Sequence, residues 1–388
     1  MKLGVHYHIP VLRSKGSLYT HGNFGIFIDF LAKEISELFL IAHTPNEIQL
    51  NDCNYKIESQ NIILIDLGEH CSVVSRYFNF FNYFKIIKHI EKKVDFFILR
   101  APTPLLPIFV VVNIKKTLIY AIGDYLQVIK SKKIKNFKYY MLLIYAYLIT
   151  FCTKILSHRG LVMTNSIELK NKLKIKYNSV KIVYSSTIRN NELINIGSKK
   201  FHNPIRLLYT GRFDDAKGID DIIQAIYILN KKEININLHL AGYFGNGKYL
   251  KHLKKISKKL NVSDKIIYHG LLKLGDELNT LYRNSDILII ASKSEGFPRS
   301  IWEAFSNSTP VITTNVGSIP YILKNKHDSI IINHSSPIEI ANAVIELKKN
   351  KKLRKRILTN SIKLAKTATI ENNSKKMVEL IENININH

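Results

Sequence analysis

The chain has 388 residues, enough for two to three domains at roughly 150 residues each. Its 46% hydrophobic and 22% charged residues exclude wholesale disorder, and its 3 cysteines, Cys53, Cys71 and Cys152, form no CxxC pair and argue against a disulfide scaffold or a cysteine-ligated zinc site. Charge is the unusual quantity: Lys+Arg is 57 against Asp+Glu 30, a net +27, which implies an anionic partner (nucleic acid, an anionic membrane or a phosphorylated substrate) without choosing among them.

In chain order, the start from Met1 to Pro10 lacks the apolar core of a secretory signal and reads as a first strand near 3–9. Further strands are expected near 61–66, 95–99, 117–122 and 160–163, with helices near 25–38, 74–92, 139–155 and 166–174. The polar stretch from Ile188 to Asn203 reads as a linker ending at Pro204. Beyond it, strands are expected near 205–209, 236–240, 266–268, 286–291 and 310–313. Helices are expected near 218–231, 298–307, 337–349 and 351–366, before a tail. Apolar strands alternating with amphipathic helices predict parallel α/β sheets, whose ligands sit at the carboxyl ends of the strands. The expected division is 1–190, a linker 191–204, a second domain 205–365, and a helix or tail 366–388 crossing back to the first domain, with the two domains facing across a cleft.

Two lysine-rich regions stand out. From Tyr125 to Ile167 there is no acid, while Lys130, Lys132, Lys133, Lys135, Lys138, Lys154 and Arg159 fall in the same window. Within it the uncharged run Tyr139 to Thr153, at 15 residues, is short of the ~20 needed to span a bilayer. It reads either as a buried helix with a basic lead-in or as an interfacial anchor whose aromatics sit at the headgroups. The lysines from Lys248 to Lys259 have helical spacing and read as a solvated face.

Four segments fall at expected strand ends of the second half. In Gly211-Arg212-Phe213-Asp214-Asp215-Ala216-Lys217-Gly218 an Arg fork and a Lys point charge suit a diphosphate, with a helix N-terminus behind them; two solvated cations at a corner are the plain alternative. Gly242 to Gly247 is a glycine loop or a simple turn. The third, Ser294-Glu295-Gly296-Phe297-Pro298-Arg299-Ser300-Ile301-Trp302-Glu303-Ala304, places Glu295 before a helix and Glu303 within it. Carboxylates suit vicinal hydroxyls, and helix-start amides suit an anion. The fourth is Thr314-Asn315-Val316-Gly317-Ser318-Ile319-Pro320.

Taken together, these residues resemble the donor domain of the retaining family 4 glycosyltransferases, of GT-B fold, whose signature is GR-x4-KG, a glycine loop, E-G-[FY]-[PG]-x4-E-A and a following P-V-I-x-T-x-V-G. The resemblance covers about 205–350. It implies an α/β GT-B chain of two Rossmann-like doubly wound domains. It implies that Arg212 and Lys217 hold the donor diphosphate and that Glu295 meets the sugar hydroxyls near the reacting carbon. Glu303 would take the ribose hydroxyls, and Gly211, Gly245, Gly296, Phe297, Pro298, Arg299 and Gly317 would line the donor. No Asp-x-Asp occurs, so neither a metal nor a cofactor is expected. Departures from the pattern are Ser308, Ser318 and Tyr321, where the family has Gly, Gly and Glu.

The first half resembles the family less. Gly22-Asn23-Phe24-Gly25 is either the family's glycine loop or a turn before an apolar helix running from Ile26 to Phe39. Gly123 stands where many relatives have an active-site His; the neighbouring Asp124 either substitutes or caps a helix. Arg100 is placed to bind an acceptor phosphate or to form a structural ion pair. The expected activity is metal-independent, front-face transfer with retention from a nucleotide-sugar, UDP being the nucleotide common in the family. The expected acceptor is lipid-linked or a polysaccharide, in bacterial O-antigen or capsule synthesis, by a cytoplasmic protein resting on the anionic inner membrane face. No nucleic-acid partner is expected, since no recognition motif accompanies the charge; the alternative is a GT-B scaffold that binds nucleic acid or membrane without catalysis.

Overall fold

The computed structural model describes residues 1–70, 76, 78–114, 116–123, 125–130, 136–164, 169–171, 180–182, 186–197, 199–245 and 247–385. The chain forms two units, Met1–Thr187 with Ile370–His388, and Ile188–Thr369.

The first unit is built on a seven-stranded parallel sheet in the spatial order Val180–Ile182, Leu161–Thr164, Thr117–Ala121, Phe96–Ala101, Lys2–His6, Glu37–Thr44, Ile62–Glu69. Side chains alternate between its faces as the pleat requires. Leu38, Leu40 and Ala42 join one core with Leu3, Val5 and Phe24, while Phe39 and Ile41 join the other with Phe97, Leu99 and Phe109. Both faces are therefore covered, which is why these strands read as unbroken apolar runs. The helix expected near 25–38 is Gly22–Lys33, and its last expected residues belong instead to a strand that was not expected, Glu37–Thr44, between Lys2–His6 and Ile62–Glu69. The run Leu38 to Ala42 is apolar at every position, so it carries neither a 3.6-residue nor a two-residue period, and its central place in the sheet decides it. An antiparallel sheet of Val11–Ser14, Ser17–Thr20 and Tyr55–Lys56 was also not expected. The expected helix near 166–174 lies mostly outside the described residues.

The tail beyond 366 is a helix, Ile370–Asn385. It packs on Gly22–Lys33, and Ile370, Met377, Val378 and Ile381 lie in the first unit's core.

In the second unit a six-stranded parallel sheet has the order Ile266–Gly270, Ile236–Ala241, Ile205–Thr210, Ile287–Ile290, Val311–Thr314, Ile330–Ile332. Numbered within the sheet this is 3-2-1-4-5-6, the doubly wound order, and it reverses between Ile205–Thr210 and Ile287–Ile290. Helices Ile219–Lys231 and Pro337–Lys349 pack together, contributing Ile222, Ile226, Val344 and Leu347 to the core. The stretch read as a linker is fastened to this unit: Ile194 N–H donates to Ser306 O at 2.7 Å, and the buried Asp286 carboxylate accepts from His202 Nδ1 at 2.8 Å and Arg206 N–H at 2.8 Å.

Truncating Ile381, which is fully buried, leaves a cavity under the first sheet. Ile381→Ala is expected to destabilise the first unit by about 2–5 kcal/mol, read as an earlier urea transition; an unchanged midpoint would show that the terminal helix contributes nothing to that core.

Candidate functional site

At the reversal of the second sheet, three loops meet at the carboxyl ends of the strands. Lys217 ends the first loop and Glu295 lies in the second; Lys217 Nζ donates to Glu295 Oε1 at 2.6 Å, both side chains only 15% exposed. Ser292 Oγ donates to the same oxygen at 2.8 Å. The backbone knits the loops: Lys293 N–H donates to Ala216 O at 2.8 Å, Ser318 N–H to Gly296 O at 2.8 Å, and Thr314 Oγ1 to Ser292 O at 2.7 Å. Two glycines permit this approach. A Cβ at Gly218, whose φ is +63°, would lie 2.1 Å from Ala291 O, and one at Gly317, φ +59°, would lie 1.9 Å from Glu295 O.

Glu303 sits one turn into the helix Arg299–Ser306 and is held from behind. The fully buried Tyr282 donates its hydroxyl to Glu303 Oε2 at 2.7 Å. A hydroxyl has one proton, so Thr210 Oγ1, 2.6 Å away, donates to Tyr282. Burial first and the Glu303 charge second push the Tyr282 hydroxyl well above its ordinary value, so it stays a donor. Tyr282, Thr210 and Ser292 were not singled out from sequence.

The remaining expected residues divide. Arg212 is not drawn into the Lys217–Glu295 pair; its side chain is 74% exposed and reaches Asp214 at 3.9 Å. Asp220 and Asp221 already occupy the first turn of the helix after Gly218, so its dipole is met by carboxylates. Pro298 is the N-cap, not the first helical residue, and Arg299 begins the helix. Phe297 is buried and its ring stacks on Trp302 at 4.8 Å. Gly211 closes onto the next strand, its N–H donating to Ala241 O at 3.0 Å, and Gly245 is at φ +60° in an open loop.

In the first unit Gly22, Asn23 and Gly25 are not a loop but the opening turn of Gly22–Lys33. Gly22 N–H donates to Asn54 Oδ1 at 3.2 Å and Gly25 N–H to His21 O at 2.9 Å, so these amides are used internally. Arg100 lies in an aromatic surround, its guanidinium 4.1 Å from the Tyr7 ring and 5.4 Å from Phe27. Gly123 is exposed and Asp124 lies outside the described residues. At the ends of the neighbouring strands, His6 hydrogen-bonds Ile41 O and Thr103 Oγ1, both at 2.9 Å. Burial depresses His6 to about 3 and, aided by Arg100 and Arg76 respectively, His8 and His43 to about 4. Among the described residues no His, Cys, Asp or Glu cluster is arranged to hold a metal.

Comparison with known proteins places this geometry. Residues 191–364 match the family model for glycosyl transferases group 1. An uncharacterized glycosyltransferase of Methanocaldococcus jannaschii is 30% identical over 51% of this chain and 52% of its own length. The capsular polysaccharide biosynthesis glycosyltransferase CapM of Staphylococcus aureus is 24% identical over 61% of this chain and 63% of its own. The second unit is a group 1 glycosyltransferase domain. These curated relatives are matched over about half to three-fifths of their length. Over the whole chain the fold is GT-B: the crystal structure of Anabaena HepE, solved with UDP-glucose, superposes with a TM-score of 0.68 at 13% identity, covering 98% of this chain and 99% of that one. In the group 1 domain, the motif residues Lys217, Glu295 and Gly317 are the ones that the sheet reversal brings together, with Glu303 braced beside them by Tyr282.

The neutral histidines of the first unit set a pH dependence. His6, at about 3 when folded against 6.5 ordinarily, binds its proton more readily unfolded. Its contribution is complete above pH 6.5 and is lost as pH falls toward 3, at about 1.4 kcal/mol per pH unit. His6→Gln is expected to flatten the acid side of the first unit's stability profile by that slope, measured by urea unfolding at successive pH values; an unchanged slope would show that His6 titrates normally.

Proposed function

We propose that this chain transfers a sugar from a nucleoside diphosphate sugar, UDP being the expected nucleotide, onto a saccharide or lipid-linked acceptor in the synthesis of a surface polysaccharide. The observation that carries the reading is the Lys217–Glu295 pair at the sheet reversal, with Glu303 braced beside it. Such a reversal opens a crevice at the strand ends for a nucleotide. The CapM name and the UDP-glucose bound by HepE agree with the substrate class.

Lys217 meets the diphosphate as a point charge and stabilises the negative charge that builds on the leaving group, Arg212 closing from its exposed position. Glu303 accepts from the ribose hydroxyls. Its second oxygen serves them while Tyr282 fixes the first. Glu295 accepts from hydroxyls of the donor sugar, and the amides at the start of Arg299–Ser306 support the sugar and phosphate. Lys217 and Glu295 neutralise one another until the donor enters between them, which limits the cost of holding either charge half-buried. The proposed chemistry retains the anomeric configuration: the bond from the anomeric carbon to the diphosphate oxygen breaks, the departing diphosphate takes the proton of the acceptor hydroxyl, and the acceptor oxygen bonds to the anomeric carbon on the face the diphosphate leaves. Cationic side chains and amides carry the electrostatic role, so no metal is assigned to it.

Glu303→Ala leaves ribose hydroxyls without an acceptor and is expected to weaken UDP binding by about 1–3 kcal/mol in titration calorimetry. Equal affinity in the variant would remove Glu303 from the donor site. Tight nucleotide binding with no turnover of any nucleotide-sugar would favour the non-catalytic scaffold, a reading that Gly123, in place of the family's His, keeps in view.

A further inference from the structure

The helix Phe137–Arg159 is apolar on two faces, and only one of them is used. Its inner stripe, Tyr139, Ala146, Ile149, Cys152 and Leu156, is buried. The opposite stripe points outward: Phe137 is 82% exposed, Ile144 68% and Phe151 61%, with Tyr140, Met141 and Leu148 between them at 54%, 55% and 41%. This spacing of three and four residues makes one continuous ridge over about four turns. An apolar ridge of that length costs solvation in water and marks an interaction surface. Of the described residues, Tyr139–Arg159 is the one helix long and apolar enough to cross a membrane, with a mean hydropathy of 1.5. Yet its inner stripe is committed to the first unit, Ile149, Cys152 and Leu156 to the core that covers the sheet and Tyr139 and Ala146 to Ile129 of the helix Tyr125–Lys130, so the helix is seated to lie along a bilayer and not through it.

Charge selects the partner. No acid occurs from Tyr125 to Ile167, and the cations adjoin the ridge itself. The exposed Lys130 has its ammonium 5.2 Å from the Tyr147 ring, and His158 and Arg159 are exposed at the far end of the helix. Lys132, Lys133 and Lys135 precede the helix and lie outside the described residues. We infer that the outer face of Phe137–Arg159 docks the chain on an anionic lipid surface, the aromatic and aliphatic side chains entering the headgroup boundary and the flanking cations meeting lipid phosphates. The inference does not depend on the glycosyl-transfer reading.

The test is co-flotation of the full chain with vesicles of phosphatidylcholine alone and of phosphatidylcholine mixed with anionic phosphatidylglycerol. Binding to the mixed vesicles that falls with added salt is expected, with weak binding to phosphatidylcholine alone. Ile144→Asp with Phe151→Asp should reduce it on the order of tenfold per side chain, and Lys130→Gln should reduce it more modestly. Because these side chains are outside the core, the unfolding temperature should be unchanged, which separates lost docking from lost folding. Absence of binding to the mixed vesicles, equal binding by the double variant, or equal binding to both vesicle types would overturn the proposal. So would a concentration-dependent dimer in light scattering that the double variant abolishes in a chain that ignores lipid; that result would assign the ridge to a second copy of the chain.

Discussion

Lys217 and Glu295 are 78 residues apart in sequence, and their 2.6 Å contact exists because a parallel sheet reverses its winding between two adjacent strands. Every strand of a parallel sheet delivers its carboxyl end to the same edge, so the loops after the adjacent strands Ile205–Thr210 and Ile287–Ile290 leave the sheet side by side. The loops then approach so closely that Gly218 and Gly317 occupy positions where a single methyl would overlap a backbone carbonyl. Backbone hydrogen bonds between the loops fix the approach, and the two side chains meet as a consequence. The function proposed for this unit depends on that constraint more than on either charge alone.

The second constraint is the brace behind Glu303. A carboxylate on a helix surface is free to choose among rotamers; one whose oxygen accepts from a buried tyrosine is not. Thr210 at a strand end, Tyr282 on one helix and Glu303 on another are joined by two hydrogen bonds into a relay running from the sheet edge outward. The hydroxyl between them stays protonated because burial disfavours the phenolate. Positioning and protonation state are thus set by the same burial.

Most of the second unit was legible in the sequence because its strands are short apolar runs bounded by Gly or polar residues and its helices are amphipathic. The motif residues at its strand ends could be read for the same reason: they follow those strands directly. Tyr282, Thr210 and Ser292 could not be read, since nothing local distinguishes a brace from an ordinary helix or strand residue until the topology brings it to the carboxylate. In the first unit the strand Glu37–Thr44 went unread, the expected helix running on to Phe39, because a strand buried on both faces carries no period. Gly22 and Gly25 read as either the family's glycine loop or a turn before a helix; they open the helix itself, and Gly25 lies where a Cβ would be 2.2 Å from the Tyr55 ring, so packing explains it. The charge of Arg100 suggested a phosphate, whereas the neighbouring strands and helix supply aromatic faces.

The central claim is that the second unit holds a nucleoside diphosphate by side-chain cations and carboxylates at its strand ends. The most direct measurement is the unfolding temperature of the full chain with UDP, GDP or ADP, each with and without EDTA. A ligand at 100 times its Kd adds about 2.7 kcal/mol, a shift of several degrees for domains of this size. The account expects a shift with one nucleotide, undiminished by EDTA, and its loss in Lys217→Ala. No shift with any nucleotide, or one that EDTA abolishes, would contradict it.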